Sequence, residues 1–180
     1  MFVTVGSQGP FDRLIRTIDR WAGLQRDINI FAQIGRSAYR PRNFPTIPFM
    51  SPFEFRSQVE AAAVVVGHAG MGSIITALEF GKRMVVLPRR DDLGETRSDH
   101  QLATANRLAQ DGRITVAFTE EELMITLDRL DLVRSVHAID RQASPRLIRT
   151  IRAFLEATPS LIDPLAAPVG GAMASRRQND

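Results

Sequence analysis

Residues Ala63 to Gly67 form a short, unbroken apolar run, and the chain passes from it directly into His68-Ala69-Gly70-Met71-Gly72-Ser73 and a helical pattern. A strand without polar alternation must be covered on both faces, which points to a parallel sheet between two layers of helices. The helix after the turn is expected to begin at about Ser73 and to end at Gly81, and a second all-apolar strand, Met84 to Leu87, is closed by Pro88. A strand, a glycine-rich turn, a helix and a parallel strand thus form one unit around which the rest of the chain has to wind.

The flanking segments repeat this alternation. Phe2 to Val5 reads as a first strand, leading through Gly6-Ser7-Gln8-Gly9-Pro10 into a helix with Phe11, Leu14, Ile15, Ile18 and Trp21 or Ala22 at helical spacing. Ile28 to Ile34 and Thr46 to Phe49 read as further strands, separated by a loop, residues 36–45, too rich in Arg and Pro for regular structure. Ser51-Pro52-Phe53-Glu54 combines a capping box with Pro at the first helical position, and Thr119 to Glu122 offers a second capping box for a helix running to about Leu130. Leu102, Ala105, Leu108 and Ala109 mark a helix before a last strand, Ile114 to Phe118. Ser144-Pro145 starts a final helix with Leu147, Ile148, Ile151, Phe154 and Leu155 on one face. Arg146, Arg149 and Arg152 line its other side, where they are either solvated or meet a partner subunit or anionic headgroups. The expected fold is a doubly wound, parallel, six-stranded Rossmann-like α/β sheet over residues 1–157, followed by a disordered tail, 158–180. Ligand loops should lie after the first, fourth and fifth strands.

Composition narrows the function. The 180 residues contain no cysteine, which removes disulfides, thiolate metal sites and a cysteine nucleophile. No run of ten apolar residues occurs, so neither a bilayer span nor a signal-peptide core is expected, and the expected compartment is the cytosol. Of the 23 basic residues only Lys82 is a lysine, and residues 1–60, the most basic stretch, hold 8 basic and 5 acidic groups. Charge spread so evenly is not the field of a duplex-binding module, and nucleic acid is not expected as a partner. Arginine does suit bidentate recognition of phosphate or carboxylate on a small ligand.

The turn after the fourth strand is the strongest chemical signal. Unpaired main-chain N–H groups there converge at the positive end of a helix dipole, and Gly70 and Gly72 let a diphosphate approach the backbone. Ser73 is a candidate cap and hydroxyl donor. His68 either donates a hydrogen bond to a phosphate or sugar hydroxyl, or is a packed loop histidine. The alternative for the whole turn is a tight connection in which glycine serves only geometry.

The run VVVGHAGMGSIITALEFGKRMVVLPRR, followed by SDHQLATANRLAQDG and preceded by FVTVGSQGPFDRLIRTID, resembles the carboxy-terminal domain of glycosyltransferase family 28. More narrowly it is similar to small stand-alone members, the donor-binding subunit of the dolichol-pathway N-acetylglucosaminyltransferase and bacterial exopolysaccharide glucuronosyltransferase subunits. The likeness spans residues 1–118.

The resemblance implies one half of a two-domain GT-B inverting glycosyltransferase, with a UDP-sugar as substrate and no metal or other cofactor. It places the donor diphosphate on His68, Gly70, Gly72 and Ser73, with Met71 also among the donor-binding residues, Gly6 and Ser7 near the donor and the interdomain cleft, and Asp99, His100 and Gln101 at sugar hydroxyls. Asp99 is equally a plausible helix cap. Where relatives carry a ribose-binding carboxylate this chain has Thr76, a weaker neutral partner; Glu79, one turn on, either reaches the ribose or is solvated. Arg89, with Arg90, either pairs with a donor carboxylate or the diphosphate, or belongs to a solvated loop of mixed charge with Asp91, Asp92 and Glu95. The catalytic base is unknown; with His137 expected at the surface of a linker, the base is expected from a partner. That partner is expected to be a membrane-anchored, acceptor-binding subunit that recruits this chain to the inner face of the membrane, and the acceptor a polyprenyl-diphosphate-linked saccharide. The donor sugar, glucuronate or N-acetylglucosamine, stays open. Two other classes remain: a non-catalytic nucleotide-sugar-binding module, and a nucleotide-dependent oxidoreductase. Against the oxidoreductase, the loop Gly6-Ser7-Gln8-Gly9-Pro10 lacks the third glycine of G-x-G-x-x-G and no acidic residue ends the second strand.

Overall fold

A computed structural model describes residues 1–25, 27–133, 136–140 and 142–157; the expected tail, 158–180, lies outside the described residues. In chain order the elements are β1 (Phe2–Thr4), α1 (Asp12–Ala22), β2 (Phe31–Gln33), β3 (Thr46–Ile47), α2 (Pro52–Ala61), β4 (Val64–Gly67), α3 (Met71–Glu79), β5 (Arg83–Val86), α4 (His100–Gln110), β6 (Thr115–Val116), α5 (Glu120–Asp128), a 3-10 turn (Leu130–Leu132) and α6 (Pro145–Ala157). The strands form one parallel sheet in the order β3-β2-β1-β4-β5-β6. The strand order reverses between β1 and β4, where α/β sheets open their ligand crevice.

Alternation along the central strands builds two cores. Val3 and Val5, Val64 and Val66, and Val85 and Leu87 face one layer with Leu14, Ile15 and Ile18 of α1 and Leu123 and Leu127 of α5. Phe2, Val65, Met84 and Val86 face the other, with Val59 of α2, Ile74 and Ala77 of α3 and Ala105 of α4. Apolar runs without alternation are therefore what a strand between two helical layers requires.

The strands are shorter than their hydrophobic patterns. The expected strand from Ile28 pairs in register with β1 only from Phe31, whose N–H bonds Met1 O at 3.1 Å; ahead of it Met1 N donates to Asn29 O at 2.6 Å. β3 stops at Ile47, before Pro48, and Phe49 is left 49% exposed. The last strand pairs only over Thr115–Val116. Ser51 and Glu54 form the expected reciprocal capping box. At α5 Thr119 caps Glu122 N, but the Glu122 carboxylate accepts from Phe118 N, one residue earlier than a capping box requires.

The chain divides into two compact units, residues 1–141 and the segment from residue 142. In the second, Ser144 caps α6 through Leu147 N, and Leu147, Ile148, Ile151, Phe154 and Leu155 are exposed. No helix among the described residues is long and apolar enough to cross a membrane.

Candidate functional site

The loops after β1, β4 and β5, with the segment after β3 and the first turns of α3 and α4, enclose a cleft of about 1090 Å³. Gly70 is the extended N-cap residue (φ −86°, ψ 125°) and α3 begins at Met71, two residues before the expected Ser73, with Ile74 N bonding Gly70 O at 3.1 Å. Ser73 is consequently not the cap; it is the third helical residue and is buried. The N–H groups of Met71, Gly72 and Ser73 precede the first helical hydrogen bond and are left for a ligand.

The glycines differ in what they serve. A Cβ on Gly70 would lie 2.0 Å from His68 Nε2, and one on Gly6 (φ +75°) would lie 2.4 Å from His68 Cε1, so both make room for the imidazole. A Cβ on Gly72 would meet nothing within 4 Å. The protein's own packing does not ask for glycine there, whereas close approach of a ligand to the backbone does.

His68 lines the cleft with Nδ1 buried and without a well-formed hydrogen bond. Burial, and then the positive charge of Arg89, push it down to about 4, and the Thr4 main chain offsets only part of this. It is a neutral imidazole at physiological pH. Thr76 donates its hydroxyl to Gly72 O at 2.8 Å, leaving its oxygen toward the cleft as an acceptor. Ser7, Met71 and His100 line the cleft too, with His100 Nδ1 2.9 Å from Ser98 Oγ.

Four expectations change. Gln101 is buried, and its Oε1 accepts from Ala69 N and Arg89 N, both at 3.2 Å, so it ties the loops after β4 and β5 together and has only its amide nitrogen left for the cleft. Asp99 is not among the cleft-lining residues; its backbone (φ −81°, ψ 19°) allows no side-chain cap, and its carboxylate accepts from Asp91 N at 3.4 Å. Arg89 is not in a solvated loop: it is 3% exposed and donates to the carbonyls of Val5, Gly9, Pro10 and Glu95. Glu79 is not solvated either, since it pairs with Arg56 of α2 at 2.8 Å. Arg90 is committed as well, with its Nε 2.9 Å from Asp92, and His137 is exposed.

Several site residues carry no motif. Gln33 is buried, accepts from Thr4 Oγ1 at 2.8 Å, and donates to Gly6 O and Pro48 O at 3.0 and 2.9 Å, thereby fixing both loops at this end of the sheet. Arg13 of α1 grips Glu95 in a bidentate pair, 2.8 and 2.9 Å, and also bonds Pro88 O. Phe49, Met50 and Arg97 line the cleft, and Arg97 makes no hydrogen bond or ion pair with the other described residues. The one legible signal was polarity inside an apolar strand, at Thr4 and Gln33.

The free N–H groups at the start of α3 and the Arg97 side chain line the same cleft. The profile of the glycosyltransferase family 28 C-terminal domain matches residues 1–144. The chain belongs to that family. It is 31% identical over 124 residues, 63% of its length, to the human protein "UDP-N-acetylglucosamine transferase subunit ALG13", and spans about a tenth of that relative. An NMR structure of ALG13 matches with a TM-score of 0.53 at 18% identity, over 83% of this chain and 92% of that one. The MurG crystal structure from Acinetobacter baumannii matches with a TM-score of 0.53 at 22% identity, over 73% of this chain and 42% of that one. The fold of this family 28 chain is thus the Rossmann-like domain of a GT-B glycosyltransferase.

Proposed function

We propose that the chain is the donor-binding, catalytic subunit of a two-component inverting glycosyltransferase, moving a hexose from a UDP-sugar to a lipid-linked acceptor in polysaccharide biosynthesis. The observation that carries this reading is the N-terminus of α3: free N–H groups at Met71, Gly72 and Ser73, with no side chain at Gly72 to hold a diphosphate off. In direct displacement, an acceptor hydroxyl attacks the anomeric carbon as the bond to the diphosphate oxygen breaks. The N–H groups and dipole of α3 then stabilise the UDP that leaves. Thr76 is suited to accept a hydrogen bond from a ribose hydroxyl, and the Gln101 amide nitrogen to donate to a sugar oxygen.

The base that takes the acceptor proton belongs, in this reading, to a partner subunit. A group with a pKa near 4, as His68 has, is a weak base at neutral pH, and the Glu95 carboxylate is held by Arg13 and Arg90 N. A membrane-anchored partner would also bring this chain to the cytoplasmic face, where a polyprenyl-linked acceptor resides. The naming of ALG13 as a transferase subunit supports a divided enzyme. Both glucuronate and N-acetylglucosamine remain donors to test; for the acid, Arg97 is the uncommitted guanidinium at the cleft.

Titration with UDP, UDP-N-acetylglucosamine, UDP-glucuronate and NAD, followed by thermal stability, tests the reading. UDP and one UDP-sugar should each raise the melting temperature, and Arg97→Met should weaken only UDP-glucuronate if glucuronate is the donor. Stabilisation by NAD alone would overturn the proposal.

A further inference from the structure

Arg89 makes contacts that no ligand is needed to explain. Its Nη1 donates to Pro10 O at 2.9 Å and Glu95 O at 3.2 Å, and its Nη2 to Val5 O at 2.9 Å and Gly9 O at 3.2 Å. The guanidinium lies over the Phe11 ring at 4.8 Å from its centre and makes no ion pair with the other described residues. Its main-chain N–H enters the Gln101 link to Ala69. One side chain thus joins the loop after β1 to the loop after β5, and its backbone is fastened to the loop after β4, so all three cleft loops meet at this residue.

We infer that Arg89 is a positioning residue, whose buried guanidinium holds the loops after β1 and β5 in the shape that admits the donor diphosphate. The inference rests on the donor-site reading above. The planar fork is what the geometry uses: four carbonyls from two loops are met by two nitrogens of a rigid group, which the single ammonium of lysine cannot reproduce. Held in advance, the loops need not be ordered when a ligand binds, and that ordering is a cost that otherwise subtracts from affinity. Gly9 belongs to the same arrangement, because a Cβ there would sit 3.1 Å from Arg89 Nη1.

Arg89→Met and Arg89→Lys test this in the full chain. UDP affinity by calorimetry should fall about tenfold or more in Arg89→Met, and Arg89→Lys should not restore it, since charge without the fork cannot hold both loops. Amide exchange should quicken from Gly6 to Gly9 and from Glu95 to Arg97 in both variants without UDP. By NMR the His68 titration should move up in Arg89→Met and stay low in Arg89→Lys, because after burial the charge of Arg89 is what lowers it, while the Thr4 main chain acts the other way. If Arg89→Met fails to fold, Arg89→Lys carries the test. Wild-type affinity in Arg89→Lys, or unchanged loop exchange, overturns the positioning role. A wild-type protein that does not bind UDP overturns the donor-site reading instead, a result separable from the exchange measurement.

Discussion

Gly70 and Gly72 are two residues apart and answer to different demands. Gly70→Ala would drive a methyl into His68 Nε2, 2.0 Å away, and is expected to cost on the order of 1–3 kcal/mol in urea unfolding, whether or not a ligand is present. Gly72→Ala meets open space inside a helix, so stability should hold or rise by about 0.4–1 kcal/mol while UDP affinity drops. Stability and binding measured side by side separate the two roles. His68 gives the protein a pH signature. Burial and Arg89 hold it at about 4 against an ordinary 6.5. Between these values the unfolded chain binds a proton that the folded ring refuses. Stability is therefore fully present above pH 6.5 and declines as the pH falls toward 4, by at most about 3 kcal/mol. Urea midpoints between pH 4 and 7.5 should show this slope, and His68→Gln should lose it. Asp19 acts in a lower window: burial works to raise it, but bonds from Tyr39, Asn43 and Arg42 outweigh burial and hold it below its ordinary 3.8. Sequence showed that a glycine-rich turn stood here; which glycine serves the imidazole and which the open cleft depends on where the His68 ring lies, packed against Gly70 and against Gly6 of the loop after β1.

At the level of elements, helix starts were legible because caps are local. Ser51 and Glu54 bond each other's backbone within four residues, and no distant contact is needed. Ser51→Ala should cost about 1 kcal/mol in chemical denaturation and leave UDP binding unchanged. Strand ends were less legible, because a strand ends where its neighbour ends. Ile28 to Ile30 have the composition of a strand, but pairing with β1 starts at Phe31. The start of α3 moved for a related reason: Gly70 turns the backbone into the helix ahead of Ser73, so the cap residue type lost to backbone geometry.

On the scale of the whole molecule, every cleft-lining residue lies within residues 1–141. Replacing the exposed Ile151 and Phe154 of α6 by Asp should leave UDP affinity within about twofold by calorimetry, because no cleft-lining residue belongs to that unit. The sequence by itself determined the parallel α/β class and the crevice that holds the turn at His68 to Ser73, because strand burial and helix periodicity are carried by local spacing. It did not assign the arginines. Arg89 and Arg90 read alike in the sequence, yet one is sunk among four carbonyls and the other pairs with Asp92 in solvent, while Arg97 is left to the cleft. Only the tertiary structure decided this, because a guanidinium's role is set by the acceptors around it. For Arg89 three of the four come from the loop after β1, some 80 residues away in the chain.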